Sequence, residues 1–142
     1  MRFWDSSGIV PLLVTEATSL DLTALYAEDS AITVWWGTPV ECASAIARRR
    51  RTGDLTDAAA YTAVERLRIL ADRWTEVSPS ARLRFEASRL VAVYDLRAAD
   101  ALQLAAALAA AAGEPGSLPF VCLDRRLRAA AELEGFATLA LP

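Results

Sequence analysis

Short apolar runs alternate with longer helical stretches along this chain of 142 residues. These runs, together with the mixed segment Trp74-Thr75-Glu76-Val77, predict strands near residues 2–4, 31–36, 74–77, 119–123 and 136–140. Strands that alternate with helices favour a parallel sheet covered on both faces, with right-handed crossovers between the strands. The sequence therefore predicts an α/β fold, a three-layer α/β/α sandwich with a central parallel sheet of about five strands, in a single domain over residues 1–142.

Four acidic residues stand at boundaries of these predicted elements. Asp5, Glu41 and Asp124 each come after a predicted strand. Asp100 lies at the start of the Ala/Leu-rich stretch that runs to Ala112. Parallel strands end at one edge of a sheet, where open α/β folds place their sites, so these carboxylates should emerge together. Crowded carboxylates repel one another unless a cation lies among them, and the pattern therefore indicates a site for a hard metal ion such as Mg²⁺.

Each acid also has a structural interpretation that needs no chemistry. The segment Thr38-Pro39-Val40-Glu41 has the pattern of a capping box, which alone would account for its glutamate. Asp124 would cap the helix that follows it, and Asp100 would be a first-turn acid favoured by the helix dipole. Asp5 is explained least well in this way, because the serines after it would cap the next helix equally well. The coincidence of all four at element ends is more than capping requires.

The composition removes several kinds of catalysis. The chain has no histidine, and all 15 of its basic residues are arginine. Imidazole chemistry, Schiff-base lysines, Walker-type lysines and Ser-Lys dyads are therefore excluded. Carboxylates, hydroxyls, arginines and a hard metal ion remain as means of catalysis.

The cysteines and the apolar segments both favour a cytoplasmic protein. Cys42 and Cys122 have no CxxC spacing and lie in apolar contexts, so we expect two small buried side chains in a reducing compartment. The apolar stretch from Leu104 to Ala112 is about half as long as a membrane span. The apolar run at residues 8–14 contains a proline and has acids on both sides, unlike the core of a signal peptide. We expect no membrane partner.

Two groups of arginines are candidates for contact with an anionic substrate. Arg125, Arg126 and Arg128 lie close to Asp124 along the chain, and we expect them to bind the substrate. Residues 48–51 are consecutive arginines at the end of a predicted helix. They would either complement the helix dipole or neutralise phosphates, and the sequence leaves both roles open.

An apolar stripe runs along the predicted helix at residues 56–73. The stripe consists of Tyr61, Val64, Leu67, Leu70 and Ala71. Apolar side chains at helical spacing usually face a core, so the stripe predicts packing in the core or at the seam of a dimer rather than a ligand site.

The acids and the residues around them fall in four segments of the chain. These are Phe3-Trp4-Asp5-Ser6-Ser7, Thr38-Pro39-Val40-Glu41, Leu96-Arg97-Ala98-Ala99-Asp100-Ala101-Leu102-Gln103-Leu104-Ala105 and Val121-Cys122-Leu123-Asp124-Arg125-Arg126-Leu127. Together they resemble PIN domains, and specifically the ribonuclease toxins of VapBC-type toxin–antitoxin pairs. The resemblance spans nearly the whole chain, and the third segment is its most specific part.

This resemblance implies roles for individual residues. The catalytic acids of the family are matched by Asp5, Glu41, Asp100 and Asp124. We expect Asp5 and Asp100 to be the principal metal ligands, and Ser7 matches the hydroxyl that orients the first aspartate. The resemblance implies endonucleolytic cleavage of RNA with Mg²⁺, or Mn²⁺, as the cofactor. The chain departs from the family at Cys122, because a threonine or serine often stands two residues before the fourth acid.

Protein partners are implied as well. Toxins of this family form homodimers and are held by a small antitoxin, so we expect both associations here. The antitoxin should lay a helix in an apolar groove formed by residues 10–25 and 40–70. An arginine or lysine of that partner should reach Asp5 and Asp100, since guanidinium groups pair well with carboxylates.

Other classes of protein fit less of the sequence. Haloacid dehalogenase-type and receiver domains also begin with a strand-end aspartate, but both ordinarily use a lysine, which this chain lacks. A metal-dependent adhesion site has the pattern Asp-x-Ser-x-Ser, of which Asp5-Ser6-Ser7-Gly8-Ile9 supplies only the first serine. That site would also leave Glu41 unexplained. A metal-dependent binding module and a catalytically silent PIN-like partner-binding domain remain the alternatives to an enzyme.

Overall fold

The computed structural model describes residues 1–139 and contains a parallel sheet of four strands. The strands are β1 (Arg2–Trp4), β2 (Ile32–Trp35), β3 (Thr75–Val77) and β4 (Phe120–Val121). They lie in the order β3-β2-β1-β4, and every neighbouring pair is parallel. The predicted α/β class with a central parallel sheet is therefore confirmed.

The fifth strand predicted at residues 136–140 is not confirmed. Thr138 forms a single parallel bridge with Phe120. The Phe120 N–H donates to the Ala137 carbonyl at 2.9 Å, and the Leu139 N–H donates back to the Phe120 carbonyl at 3.2 Å. Because β4 is only two residues long, it offers this segment too few backbone groups for a longer ladder. Residue 140 lies outside the described residues.

Helices fill the intervals between the strands, as predicted. They are α1 (Ser6–Leu13), α2 (Ser19–Glu28), α3 (Thr38–Arg51), α4 (Asp57–Ala71), α5 (Ala81–Val93), α6 (Ala98–Ala111) and α7 (Arg125–Leu133), with a 3₁₀ turn at Pro115–Ser117. Gly53, Gly113 and Gly135 follow three of these helices at φ values of 86°, 87° and 100°, a conformation that ends a helix at little cost to glycine. Within residues 1–139, no helix combines the length and the apolar composition needed to cross a bilayer.

Successive side chains of each strand point to opposite faces of the sheet and enter two cores. Phe3 and Phe120 lie on one face, where their rings stack at a centroid distance of 5.5 Å among residues of α5, α6 and α7. Trp4 and Val121 lie on the other face among residues of α1 to α4. The sheet is therefore a middle layer between two layers of helices.

The apolar stripe predicted for α4 is only partly in the core. Leu67 is buried, whereas Tyr61 is 70% exposed and Val64 is 46% exposed. The helix buries Ala60 and Ala63 instead. Small side chains allow α4 to approach the neighbouring helix α3, which large ones at the same positions would prevent. The prediction of a core position is wrong for Tyr61 and Val64, and a dimer seam remains a prediction.

Helix α1 packs closely on the end of β4, and this contact brings the segments after β1 and β4 together. A Cβ atom on Gly8 would lie 3.1 Å from Val121 Cγ1 and 3.2 Å from the Val121 carbonyl oxygen. The Asp5 N–H donates to the same carbonyl at 3.0 Å. Because Gly8 has no side chain, the segment that carries Asp5 can lie close to the segment that leads from β4 to Asp124.

Candidate active site

The four predicted acids lie around one open cleft at the carboxyl edge of the sheet. The cleft has a volume of about 1030 Å³, and Glu41, Asp100 and Asp124 line it. Asp5 is 2% exposed and does not itself line the cleft, but it is hydrogen-bonded to Ser7, which does. The topology explains this arrangement, because β1 lies between β2 and β4 and the segments after all three strands meet at this edge. The structure thus brings the four acids together, while their catalytic and metal-binding roles remain predictions.

Asp5 is held by the first turn of α1. Its carboxylate accepts hydrogen bonds from the Ser7 N–H at 3.0 Å and from the Ser7 hydroxyl. Burial raises the pKa of Asp5 above its ordinary value, the bonds from Ser7 oppose this rise, and the charge of Glu41 adds to it. The ionised form of Asp5 is therefore costly unless further positive charge is supplied.

Ser7 also connects the segment after β1 to the segment after β4. Its oxygen accepts a hydrogen bond from the Leu123 N–H at 2.9 Å. The Cys122 thiol lies 3.6 Å from Asp5 Oδ2 and 3.4 Å from the Asp124 carbonyl oxygen. A thiol is a weaker donor than a hydroxyl, so Cys122 gives these groups less support than a threonine or serine would.

Glu41 takes no part in the predicted capping box, and that prediction is wrong. Gly37 is the N-cap of α3, and no side chain caps this end of the helix. Thr38 lies inside the helix and is buried, and its hydroxyl oxygen accepts a hydrogen bond from Gln103 Nε2 at 3.1 Å. Glu41 Oε2 accepts hydrogen bonds from the Ser6 hydroxyl at 2.7 Å and from Gln103 Nε2 at 3.2 Å. A capping box therefore does not explain why a glutamate stands at position 41.

The pKa values of Glu41 and Asp100 are both raised. For Glu41, burial is the main cause, hydrogen bonds to its carboxylate oppose the rise, and the charge of Asp100 adds to it. For Asp100, which is half-buried in the first turn of α6, burial is again the main cause of the raised pKa, and Asp5 and Asp124 add to it. The acids therefore interact electrostatically as one group.

Asp124 has the structural role predicted for it and also lines the cleft. Its Oδ1 accepts a hydrogen bond from the Leu127 N–H at 2.9 Å, which caps α7. The cap occupies one carboxylate oxygen, and Oδ2 accepts no hydrogen bond from any residue in the described part of the chain. Capping and a role in the cleft are therefore compatible for this residue.

The four carboxylates are not neutralised by basic side chains. None of them forms a salt bridge with any residue from 1 to 139. No group of three or more acidic or cysteine side chains in the same range is already close enough to enclose an ion. Mg²⁺ is ordinarily held by one or two carboxylates together with waters and phosphate oxygens. The donor set of these acids consists of oxygen atoms alone, which is the ligand chemistry that Mg²⁺ prefers.

Arginines from helices on opposite faces of the sheet surround the acids. Arg48 of α3 lines the cleft from one face, and Arg97, Arg125 and Arg126 line it from the other. Arg128, predicted as a substrate-binding residue, is half-buried and does not line the cleft. It lies almost one turn further along α7 than Arg125, about 4.5 Å along the helix axis. Substrate contact by Arg128 stays a prediction, as it does for Arg125 and Arg126.

Two residues that hold Glu41, namely Ser6 and Gln103, were not predicted from the sequence. Nothing in the local pattern distinguishes Ser6 from Ser7. Gln103 does carry a signal, because it is a single polar residue in an Ala/Leu stretch and follows Asp100 by three residues. That spacing places both side chains on one face of the helix.

Comparison with known proteins supports the resemblance, although no protein-family model matches the chain. The chain is 35% identical over 137 residues to the protein named Ribonuclease VapC45 from Mycobacterium tuberculosis (strain CDC 1551 / Oshkosh), covering 94% of this chain and 90% of that protein. The same values apply to Ribonuclease VapC49 from strain ATCC 25618 / H37Rv. The crystal structure of FitAcB from Neisseria gonorrhoeae has the same fold, with a TM-score of 0.65, 17% identity, and coverage of 99% of this chain and 97% of that chain. The chain therefore belongs to the VapC family of ribonucleases.

Proposed function

We propose that this protein is a metal-dependent endoribonuclease and the toxin of a type II toxin–antitoxin pair. The observation that carries the proposal is the group of four acids at one cleft, without a salt bridge to any of them within residues 1–139. The two relatives are named ribonucleases, which supports RNA as the substrate.

Asp5 and Asp100 are the residues we assign to Mg²⁺ or Mn²⁺, either directly or through water. Both have raised pKa values in the folded protein, and a divalent cation nearby would favour their ionised forms again. Glu41 and Asp124 would position a second ion or the attacking water. The chemistry that a divalent cation would supply there is a lower pKa of a nearby water molecule and stabilisation of negative charge on the phosphate.

The side chains of the protein prepare the site in advance. Ser7 fixes Asp5, and Ser6 holds Oε2 of Glu41. Oε1 of Glu41 accepts no hydrogen bond from any residue of the described chain. The chain has no histidine, and among its carboxylates we assign Glu41 Oε1 as the acceptor of the proton of the attacking water. Burial raises the pKa of Glu41, which makes its carboxylate a stronger base than that of an exposed glutamate.

The arginines around the acids give an RNA backbone a path across the cleft. Arg49 and Arg126 are paired with Glu16 and Asp95. Three other arginines of the cleft form no salt bridge within residues 1–139, namely Arg48, Arg97 and Arg125. Arginines without a carboxylate partner are free to bind phosphates, so we assign phosphate contact to these three.

The antitoxin site in this proposal is a second, apolar groove of about 300 Å³. It is lined by Leu12, Leu13, Thr23, Tyr26, Arg66, Ile69, Leu70 and Arg73. These residues belong largely to the segments at 10–25 and 40–70 that the sequence predicts for antitoxin binding. Two arginines among apolar side chains suit a partner helix with acidic residues beside its apolar anchors. A homodimer through the exposed face of α4 that carries Tyr61 and Val64 also belongs to the proposal.

The substitution Asp100→Asn tests the nuclease assignment. It should lower the rate of RNA cleavage by the purified protein more than about 100-fold, because asparagine cannot supply a charged metal ligand. The matched control is Asp72→Asn, the same change at an exposed aspartate that does not line the cleft. It should cleave RNA at the wild-type rate. Undiminished cleavage by Asp100→Asn would refute the assignment of the active site.

A further inference from the structure

Gln103 is a fully buried amide in an apolar helix. Its side chain is 0% exposed, and its neighbours along α6 are alanine and leucine. Burial of an amide costs free energy unless its polar atoms are hydrogen-bonded, yet Gln103 Oε1 has no such partner among residues 1–139. A methionine at this position would fill a similar volume without that cost. The amide therefore requires a reason other than packing.

Both hydrogen bonds from Gln103 Nε2 go to α3. One reaches Thr38 Oγ1 at 3.1 Å and the other reaches Glu41 Oε2 at 3.2 Å. An ionised carboxylate accepts hydrogen bonds and donates none, so the nitrogen rather than the oxygen of the amide must face Glu41. Thr38 serves as the anchor of the amide, and Glu41 is the group that the amide holds.

These bonds connect the two helices that carry Glu41 and Asp100. Gln103 follows Asp100 by three residues on α6, so both side chains extend from one face of that helix. Glu41 Oε2 accepts a further hydrogen bond from the Ser6 hydroxyl of α1 at 2.7 Å. Two donors from two different helices thus hold the same oxygen, which restricts rotation of the carboxylate and fixes where its other oxygen lies.

We propose that Gln103 is a positioning residue that orients the Glu41 carboxylate relative to Asp100. The inference rests on the proposed nuclease function, in which Glu41 contacts the attacking water. Gln103 is fully buried, so an RNA bound at the protein surface would not reach its side chain. Its effect should therefore appear in turnover and not in RNA binding, because a misplaced catalytic group slows the reaction without changing substrate affinity.

The test is the substitution Gln103→Met, measured as kcat and KM on a short RNA in Mg²⁺. We expect kcat to fall roughly 10- to 100-fold, with KM within about twofold of wild type. The melting temperature should stay close to that of wild type, because removal of the unpaired Oε1 is offset by loss of the hydrogen-bond donor to the buried Thr38 hydroxyl, while the volume is kept. In a protein that already carries Glu41→Gln, the same substitution should lower kcat less than about twofold, since the carboxylate to be positioned is gone.

Thr38→Val is the second variant, and it decides the question if Gln103→Met does not fold. It removes the anchor of the amide, and we expect the same loss confined to kcat, of smaller size. Wild-type kinetics in both variants, or an equal loss of kcat in the Glu41→Gln background, would overturn the proposal. Wild-type protein and Asp100→Asn are assayed alongside, so a chain without nuclease activity is distinguished from a nuclease that does not use Gln103.

Discussion

At the scale of single residues, the same side chain serves both the fold and the cleft. Asp124 caps α7 through Oδ1, and Asp5 accepts the Ser7 N–H at the start of α1. A helix cap needs only an oxygen acceptor, whereas a metal site needs negative charge. Asparagine separates the two requirements, because it keeps the acceptor and removes the charge.

Asp124→Asn should therefore leave the free energy of unfolding within about 0.5 kcal/mol of wild type, since asparagine caps helices as well as aspartate does. The rate of RNA cleavage should fall at least about 10-fold, because the cleft loses one carboxylate. Urea denaturation and a cleavage assay measure the two quantities. Asp124→Ala is the control, and it should also lose about 1 kcal/mol with the cap. Full activity of Asp124→Asn would show that Asp124 is a cap and nothing more.

Asp5→Asn should stabilise the metal-free protein at neutral pH. Burial raises the pKa of Asp5 in the folded protein above its ordinary value of 3.8, so the ionised carboxylate disfavours the fold. The penalty is absent where Asp5 is protonated in both folded and unfolded states. It grows as the pH rises through the unfolded and then the folded pKa, and it is complete above the folded value.

Thermal unfolding of both proteins in excess chelator, between about pH 4 and 8, measures this difference. Carboxylates outside the cleft titrate equally in both proteins and cancel from the comparison. Glu41 and Asp100 lose the repulsion of the Asp5 charge in Asp5→Asn, which adds to the difference in the same direction. The melting temperature of Asp5→Asn should exceed that of wild type increasingly as the pH rises, by roughly 2–4 °C for each kcal/mol. An advantage that shrinks with rising pH would show that the ionised carboxylate stabilises the fold.

At the scale of elements, the hydrophobic pattern predicts the strands better than it predicts their partners. All four strands fall within predicted segments. The three strands β1, β2 and β4 are buried and mostly apolar, as a parallel sheet covered on both faces requires, whereas β3 is a largely exposed edge strand with a mixed sequence. The segment near Thr138 has an apolar pattern as well, and up to residue 139 it forms one bridge. Its partner β4 is two residues long, and the length of a neighbouring strand is not visible in the local sequence.

Tertiary contacts can also give residues a different hydrogen-bonding role from the one that the local sequence pattern predicts. Thr38 and Glu41 have the spacing of a capping box, yet both bind Gln103, which lies 65 and 62 residues away along the chain. The acids themselves were predictable because each stands at the end of an element. Ser6 and Gln103 were not, because their importance depends on what the fold places opposite them.

The groove between α1, α2 and α4 gives a prediction for the antitoxin. Ile69 lines this groove and is 50% exposed, so Ile69→Asp should leave the fold stable. Affinity for the antitoxin should fall about 30-fold or more, equal to about 2 kcal/mol, because a charge would enter an apolar contact. Calorimetry with the protein encoded beside this gene measures the loss.

The control is Val91→Asp on α5, which is 44% exposed and does not line the groove. It should bind the antitoxin with wild-type affinity. If Val91→Asp weakens binding and Ile69→Asp does not, the antitoxin occupies another face. If the purified protein binds no such neighbour at all, the toxin assignment fails, although the fold and the nuclease assignment could still hold.

At the scale of the whole molecule, the fold places both acidic and basic side chains along one cleft, so binding of an anionic substrate there should depend on a bound cation. The chain has a net charge of −3, with acids grouped in the cleft and Arg48, Arg97 and Arg125 around it. Acids that line the cleft without a basic partner would repel a phosphodiester, whereas a divalent cation among them would attract it. A metal-dependent nuclease follows from this arrangement more directly than a metal-free binding protein does.

The most direct test of this account is the rate of RNA cleavage by purified, metal-free protein as Mg²⁺ is added back. We expect no cleavage above background in chelator and a saturable rise with Mg²⁺ or Mn²⁺. The curve for Asp100→Asn should stay flat over the same range. A cleavage rate that does not depend on Mg²⁺, and that excess chelator leaves unchanged, would contradict the central claim that these acids act through a metal ion.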